Sequence, residues 1–181
     1  MTRILVLSDT HLPHEISSLK GAAWEKSDVE NFLDLLHDPL GRADLILHAG
    51  DHTERLFYEA LRRRGNLRAV QGNTDALELK AELPEFELIS CEDVRIGLLH
   101  GWGGSKDLPE RMFHAWPEPK PDIIVFGHSH ESCQRRIGGV LMLNPGSITN
   151  PRHSARSFGW LEINGKDYSA SLQSLAPPVI R

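Results

Sequence analysis

Apolar residues fall into two alternating patterns along the first half of this chain. Short continuous runs, Ile4 to Leu7 and Leu45 to Leu47, are rich in branched side chains and read as buried strands. Between them Val29, Phe32, Leu33 and Leu36 recur at i, i+3, i+4 and i+7, which predicts one face of a helix ended by Pro39 and Gly41. Leu56, Phe57, Ala60 and Leu61 predict a second helix, started by Thr53 and stopped by Gly65, before a third strand from Leu67 to Val70. Strand-helix-strand-helix-strand order predicts a parallel sheet with crossover helices.

The second half changes character. Phe86 to Ser90 and Val94 to Leu99 read as strands joined tightly through Cys91, Glu92 and Asp93. Leu108, Met112 and Phe113 predict a helix capped by Asp107 with Pro109 in its first turn. Ile123 to Phe126 is another buried strand, and Gly138-Gly139 and Asn164-Gly165 are two-residue hairpin signals. A parallel half followed by hairpins predicts an α/β chain with mixed sheets. The length suits a single domain over residues 1–181. The polar stretch from Pro13 to Ser27, containing Trp24, reads as a loop, and Ala176-Pro177-Pro178 as a chain end.

Charge narrows the function classes. Lys and Arg number 20 against 25 Asp and Glu, a net −5, which weighs against a dedicated nucleic-acid binder and leaves nucleic acid as a substrate at most. No apolar run approaches the ~20 residues of a membrane span, and the opening run is too short for a signal peptide. Two cysteines, Cys91 and Cys133, supply no disulfide framework, so the expectation is a reduced, cytoplasmic protein without a membrane partner. The ten histidines are the oddity.

Each buried strand runs into a polar motif. The first ends in Ser8-Asp9-Thr10-His11, the second in His48-Ala49-Gly50-Asp51-His52, and the third in Gln71-Gly72-Asn73-Thr74-Asp75. Later strands end in His100-Gly101 and in Gly127-His128-Ser129-His130. Ligands bind at the carboxyl ends of strands in open α/β sheets. Asp-x-His and His-x-His put side chains at i and i+2 of an extended strand end, so both can face one centre. Asp9, His11, Asp51, Asn73, His100, His128 and His130 supply more ligands than one ion takes, and suit two ions sharing a bridge. Asp51 is the natural bridge, because a carboxylate has two oxygens and Gly50 lets the backbone pass close. Two divalent ions would outweigh the charges of Asp9 and Asp51, so the loaded site would favour an anion such as a phosphate ester. Ligating histidines must be neutral, so cation affinity should fall below about pH 6.5.

These motifs, in this order, resemble the calcineurin-like metallophosphoesterase superfamily, and its small single-domain bacterial and archaeal phosphodiesterases in particular. The loop Asn144-Pro145-Gly146-Ser147 with Pro151-Arg152 resembles the same branch. The resemblance implies two mixed β-sheets packed face to face with flanking helices, a four-layer sandwich. It implies one ion held by Asp9, His11, Asp51 and His130 and another held by Asp51, Asn73, His100 and His128. Manganese is the first expectation for both, with nickel, iron, zinc and magnesium as alternatives. The implied reaction is hydrolysis of a phosphodiester by a metal-bridging hydroxide, with Asp51 and Asn73 as catalytic candidates; His52, outside the family pattern, is a further catalytic candidate, and Arg152 with Trp102 and Thr74, both at positions that depart from the pattern, are candidate substrate contacts. Larger relatives carry a histidine after the motif asparagine where this chain has Thr74, so the leaving-group acid is sought at His52 or His14. Two other readings compete: a protein-interaction scaffold like the retromer subunit of this fold, and a nuclease acting on single strands. A homodimer is one option for the assembly.

Overall fold

The computed structural model describes residues 1–11, 26–153 and 155–175. The chain runs through β1 (Thr2–Leu7), α1 (Lys26–Asp34), α2 (His37–Gly41), β2 (Leu45–His48), α3 (Arg55–Arg64), β3 (Leu67–Ala69) and α4 (Leu77–Glu82). It continues through β4 (Phe86–Cys91), β5 (Val94–Leu99), α5 (Leu108–Ala115), β6 (Ile123–Val125), β7 (Ser132–Ile137), β8 (Val140–Pro145), β9 (Ser157–Asn164) and β10 (Asp167–Ser174).

Alternation of side chains sorts the strands into two five-stranded sheets, ordered β10-β9-β1-β2-β3 and β4-β5-β6-β8-β7. In the first, β1, β2 and β3 are parallel, and β9 and β10 add antiparallel. In the second, β5, β6 and β8 are parallel, flanked by antiparallel β4 and β7. Ile4, Val6 and Leu47 of one sheet share a core with Ile96, Val125 and Leu143 of the other, so the sheets pack face to face. The opposite faces are also apolar: Leu5 and Leu7 meet α1 and α3 through Phe32, Leu33, Phe57 and Leu61. Ile124 and Met142 meet α5 through Leu108 and Met112. The result is the expected mixed-sheet sandwich with flanking helices. The carboxyl ends of the two parallel triplets meet: the His128 N–H after β6 donates to Asp9 after β1 at 2.9 Å, and His100 after β5 lies 2.7 Å from the Ala49 carbonyl after β2.

Several local expectations change. The helix expected through Leu36 ends at Asp34, and i to i−3 bonds at Leu35 and Leu36 lead into the separate α2. Pro39 lies in the first turn of α2, where a missing N–H costs no helical bond. Thr53 does not start α3: it has φ 70°, and Glu54 occupies the cap. Asp107 precedes α5 as expected but makes no side-chain cap bond. The β9–β10 turn centres on Gly165 and Lys166, one residue beyond the expected pair. Most of the loop expected from Pro13, with His14 and Trp24, and the tail from Ala176 lie outside the described residues.

Candidate metal centre

The five strand ends converge as their sequences suggested. Asp9 follows β1, and its carboxylate accepts the Ser8 hydroxyl at 2.6 Å and the His128 N–H at 2.9 and 3.1 Å. Its carbonyl accepts the Ser147 hydroxyl at 2.7 Å. Asp51 follows β2, and its Oδ1 accepts the Thr74 N–H at 2.8 Å. Its Oδ2 lies 3.3 Å from Nε2 of His11 and 3.3 Å from Nε2 of His100. Asn73 Oδ1 lies 3.1 Å from His100 Nε2 and 3.0 Å from His128 Nδ1. His130 Nε2 lies 3.4 Å from Asp9 Oδ1. All seven predicted ligands therefore meet in one place.

Close approach makes two glycines obligatory. A Cβ on Gly127 would fall 1.8 Å from the Ser8 hydroxyl and 2.6 Å from Asp9 Oδ2. A Cβ on Gly72 would fall 2.1 Å from the backbone nitrogen of Asp51. The ligands themselves bend sharply: Asp9, Asp51, His128 and His130 have φ of 52°, 58°, 73° and 60°. Asp and His are among the non-glycine residues most often found in that left-handed region.

Tautomers decide what the site can hold. His100 donates from Nδ1 to the Ala49 carbonyl at 2.7 Å, and His130 from Nδ1 to the Asn150 carbonyl at 2.6 Å. His128 donates from Nε2 to the Gly103 carbonyl at 2.8 Å. In the neutral form that metal ligation requires, an imidazole has one N–H, so each remaining nitrogen would turn a lone pair inward. Those lone pairs face the acceptor oxygens of Asp9, Asp51 and Asn73. His11 Nε2 also points inward, buried and without a hydrogen bond among the described residues. Lone pair against lone pair is repulsive, and a cation between them removes the repulsion. The backbone carbonyls behind the rings are the outer partners that metal-binding histidines use. Two overlapping groups have the required proximity, Asp9/His11/His130 and Asp9/Asp51/His100, each with ligand atoms within 4.8 Å of one another. The residues fit a metal, and Asp9 belongs to both groups, which the sequence did not reveal.

Without a cation, a proton on His100 takes its place. Burial opposes the charge on Asp51, yet the neighbouring His100 and His11 imidazoles and the Thr74 N–H hold its carboxyl well below the usual carboxylate range. Burial alone would lower His100, but Asp51 and Asp9 outweigh it and push the imidazole up to about 9. Burial and the charges of His52 and His100 keep His48 well below the ordinary histidine value.

Arg152 and Thr74 line a cavity of about 180 Å³ together with His11, Asp51, Asn73 and His128. Trp102 lies elsewhere, on a neighbouring cavity of about 280 Å³ that touches the centre only at Asn73 and His100. His52 does not reach either cavity, and this corrects its reading as leaving-group acid. Its side chain is fully buried, stacked on His48 at 3.8 Å with Nδ1 3.3 Å from Asp75 Oδ2. Asp75 also accepts the N–H groups of Thr53 and Gly72, both at 2.7 Å, and so ties together the loops that carry Asp51 and Asn73. Asp75 orients its neighbours, a role its place after the motif asparagine suggested, whereas sequence reasoning gave no role to Ser8, Ser147 or the carbonyls of Ala49, Gly103 and Asn150. The polar run after β1 was the available signal for Ser8.

The chain is similar to known proteins. The profile of the Calcineurin-like phosphoesterase superfamily domain matches residues 2–166. A probable metallophosphoesterase of Methanothermobacter thermautotrophicus is 31% identical over 97% of this chain and 94% of its own. The solution NMR structure of Thermotoga maritima protein TM1076 superimposes with a TM-score of 0.69 at 30% identity, covering 97% of this chain and 100% of that one. The crystal structure of wild-type Vps29 from Entamoeba histolytica complexed with Zn²⁺ gives 0.65 at 28% identity, over 94% and 97%.

Proposed function

We propose a reaction for this chain from one premise: it belongs to the calcineurin-like phosphoesterase superfamily. The reading is a dinuclear metal-dependent phosphodiesterase, with manganese as the first candidate ion, acting in the cytoplasm. The observation that carries it is the set of inward lone pairs from His100, His128 and His130 against Asp9, Asp51 and Asn73. Asp9, His11, Asp51 and His130 would hold one ion, and Asp51, Asn73, His100 and His128 the other. When bound, such ions lower the pKa of a water and neutralise charge on phosphoryl oxygens.

The chain's own groups do the rest. Arg152 stands on the cavity wall, where its guanidinium can take a phosphoryl oxygen. The Thr74 hydroxyl, 3.4 Å from His11 Nδ1, steadies that ring, and its N–H fixes Asp51. Among the described residues, every acid and imidazole on this cavity wall is a ligand candidate. With His14 outside the described residues, this reading takes water as the proton source for the leaving oxygen, which favours esters of acidic alcohols.

The test is hydrolysis of bis(p-nitrophenyl) phosphate and p-nitrophenyl phosphate after reconstitution with Mn²⁺, Ni²⁺, Zn²⁺ or Mg²⁺. Turnover favouring the diester is expected, with loss of about 10²–10³-fold or more in Asp51→Asn, the scale for removing one electrostatic group from a catalytic site. No turnover with any metal, or an active Asp51→Asn, would sink the reading. The likeness to Vps29 favours a second reading, a protein-interaction scaffold. Inactivity together with a stoichiometric partner would select it.

A further inference from the structure

The cavity beside the metal centre is built from aromatic walls. Phe86 at the start of β4 and Trp102 after β5 meet edge to face, centroids 6.3 Å apart, with Trp116 behind Phe86 at 5.7 Å. Both rings keep large exposed faces, 38% for Phe86 and 47% for Trp102. Glu85 and Lys80 stand at the same cavity, and the Lys80 ammonium donates to the Asn73 carbonyl at 2.6 Å.

The platform is held in place. Arg111 donates to the carbonyls of Trp102 at 2.7 Å, Gly104 at 3.0 Å and Lys106 at 2.9 Å, which pins the loop. The next carbonyl, that of Gly103, accepts the bond from His128. The aromatic wall and a ligand candidate are thus joined through one short segment. The cavity, at about 280 Å³, lies just below the roughly 300–1,000 Å³ typical of ligand pockets, a size for one ring system.

We infer that this cavity is a subsite for a planar aromatic group carried on the phosphate ester. Nucleobases and simple aryl groups share that chemistry, since each offers a π-face to Trp102 and Phe86. Glu85 and Lys80 add hydrogen-bonding partners that a nucleobase edge can use and a plain aryl ring cannot. The inference rests on the phosphodiesterase reading and names the substrate class for it.

The experiment is calorimetric titration of the Mn²⁺-reconstituted protein with inorganic phosphate, phenyl phosphate and adenosine 5′-monophosphate. Stacking predicts about tenfold tighter binding of phenyl phosphate than of phosphate. A further gain for the nucleotide assigns the subsite to nucleobases, and equal affinity of the two aromatic esters assigns it to aryl groups generally. The advantage should vanish in Trp102→Ala and return in Trp102→Phe, and Phe86→Ala gives a second route if the first variant does not fold. Equal affinity for all three probes, or an advantage untouched in both alanine variants, overturns the inference. Turnover of bis(p-nitrophenyl) phosphate in the same preparations separates the two failures: its loss sinks the enzyme reading, while its presence without aromatic preference sinks only the subsite.

Discussion

His100 and Asp51 face each other at 3.3 Å, Nε2 to Oδ2, while the other nitrogen of His100 is already committed to the Ala49 carbonyl. Without a cation this pair works only if His100 carries a proton, which is why the imidazole is raised from 6.5 to about 9 despite its burial. A cation must displace that proton. Mn²⁺ titration at pH 7.5 in buffers of different ionisation enthalpy should show release of about one proton per chain. Affinity should rise up to about tenfold per pH unit toward pH 9. The raised pKa also stabilises the cation-free chain fully below 6.5 and progressively less as pH rises through about 9. Its thermal midpoint should fall over that window, and a zero proton count with a flat midpoint would contradict the pairing.

Ser8 is buried, and its hydroxyl donates to Asp9 Oδ2 at 2.6 Å. Removing this outer partner leaves the carboxylate less well oriented. Ser8→Ala should weaken Mn²⁺ binding by about 10–100-fold with the fold intact. Equilibrium dialysis checks it, and unchanged affinity would count against Asp9 as a ligand.

Asp75 gathers the His52 ring and the N–H groups of Thr53 and Gly72. Burial opposes its charge, but these donors hold its carboxyl below the ordinary carboxylate value. In Asp75→Asn an amide N–H₂ replaces one accepting oxygen and opposes a donor. A loss of about 1–3 kcal/mol in urea denaturation is expected. A neutral substitution would mean that the two loops are tied elsewhere.

Gly127→Ala sets a Cβ against Ser8 and Asp9, whereas a Cβ on Gly41 meets nothing within 4 Å. Gly127→Ala should cost about 3 kcal/mol or more and abolish Mn²⁺ binding, with Gly41→Ala as the tolerated control. Circular dichroism melts and metal content after dialysis distinguish the two.

With no free acid on the cavity wall among the described residues, rates should depend steeply on the leaving group. Across substituted aryl esters, kcat/KM should fall several-fold per unit rise in leaving-group pKa. A flat series would reveal a protein acid.

The convergence of the seven candidate ligands was legible because each motif sits directly after a continuous apolar strand, and parallel topology brings such ends together. The helix α4 was not legible: only Leu79 within it is buried, and Leu77 is 81% exposed, so it carries no apolar period. His52 misled because adjacency to Asp51 was read as proximity to substrate. Asp51 turns at φ 58°, and the following side chain goes into the core against His48 and Tyr58. The aromatic cavity draws on α4, β4 and the loop after β5, and nothing local in any of these marks it.

The left-handed turns at Asp9, Asp51, His128 and His130 have a consequence for descent. Each holds a side chain in a backbone region that costs an L-residue roughly 1–2 kcal/mol and costs glycine little. At these four positions selection for cation binding and selection for stability pull in opposite directions. A descendant of this scaffold released from catalysis would drift there toward glycine or asparagine. At Asp9 and Asp51 the relief is offset by the Ser8, His128 and Thr74 donors their carboxylates hold, so the drift would begin at His128 and His130.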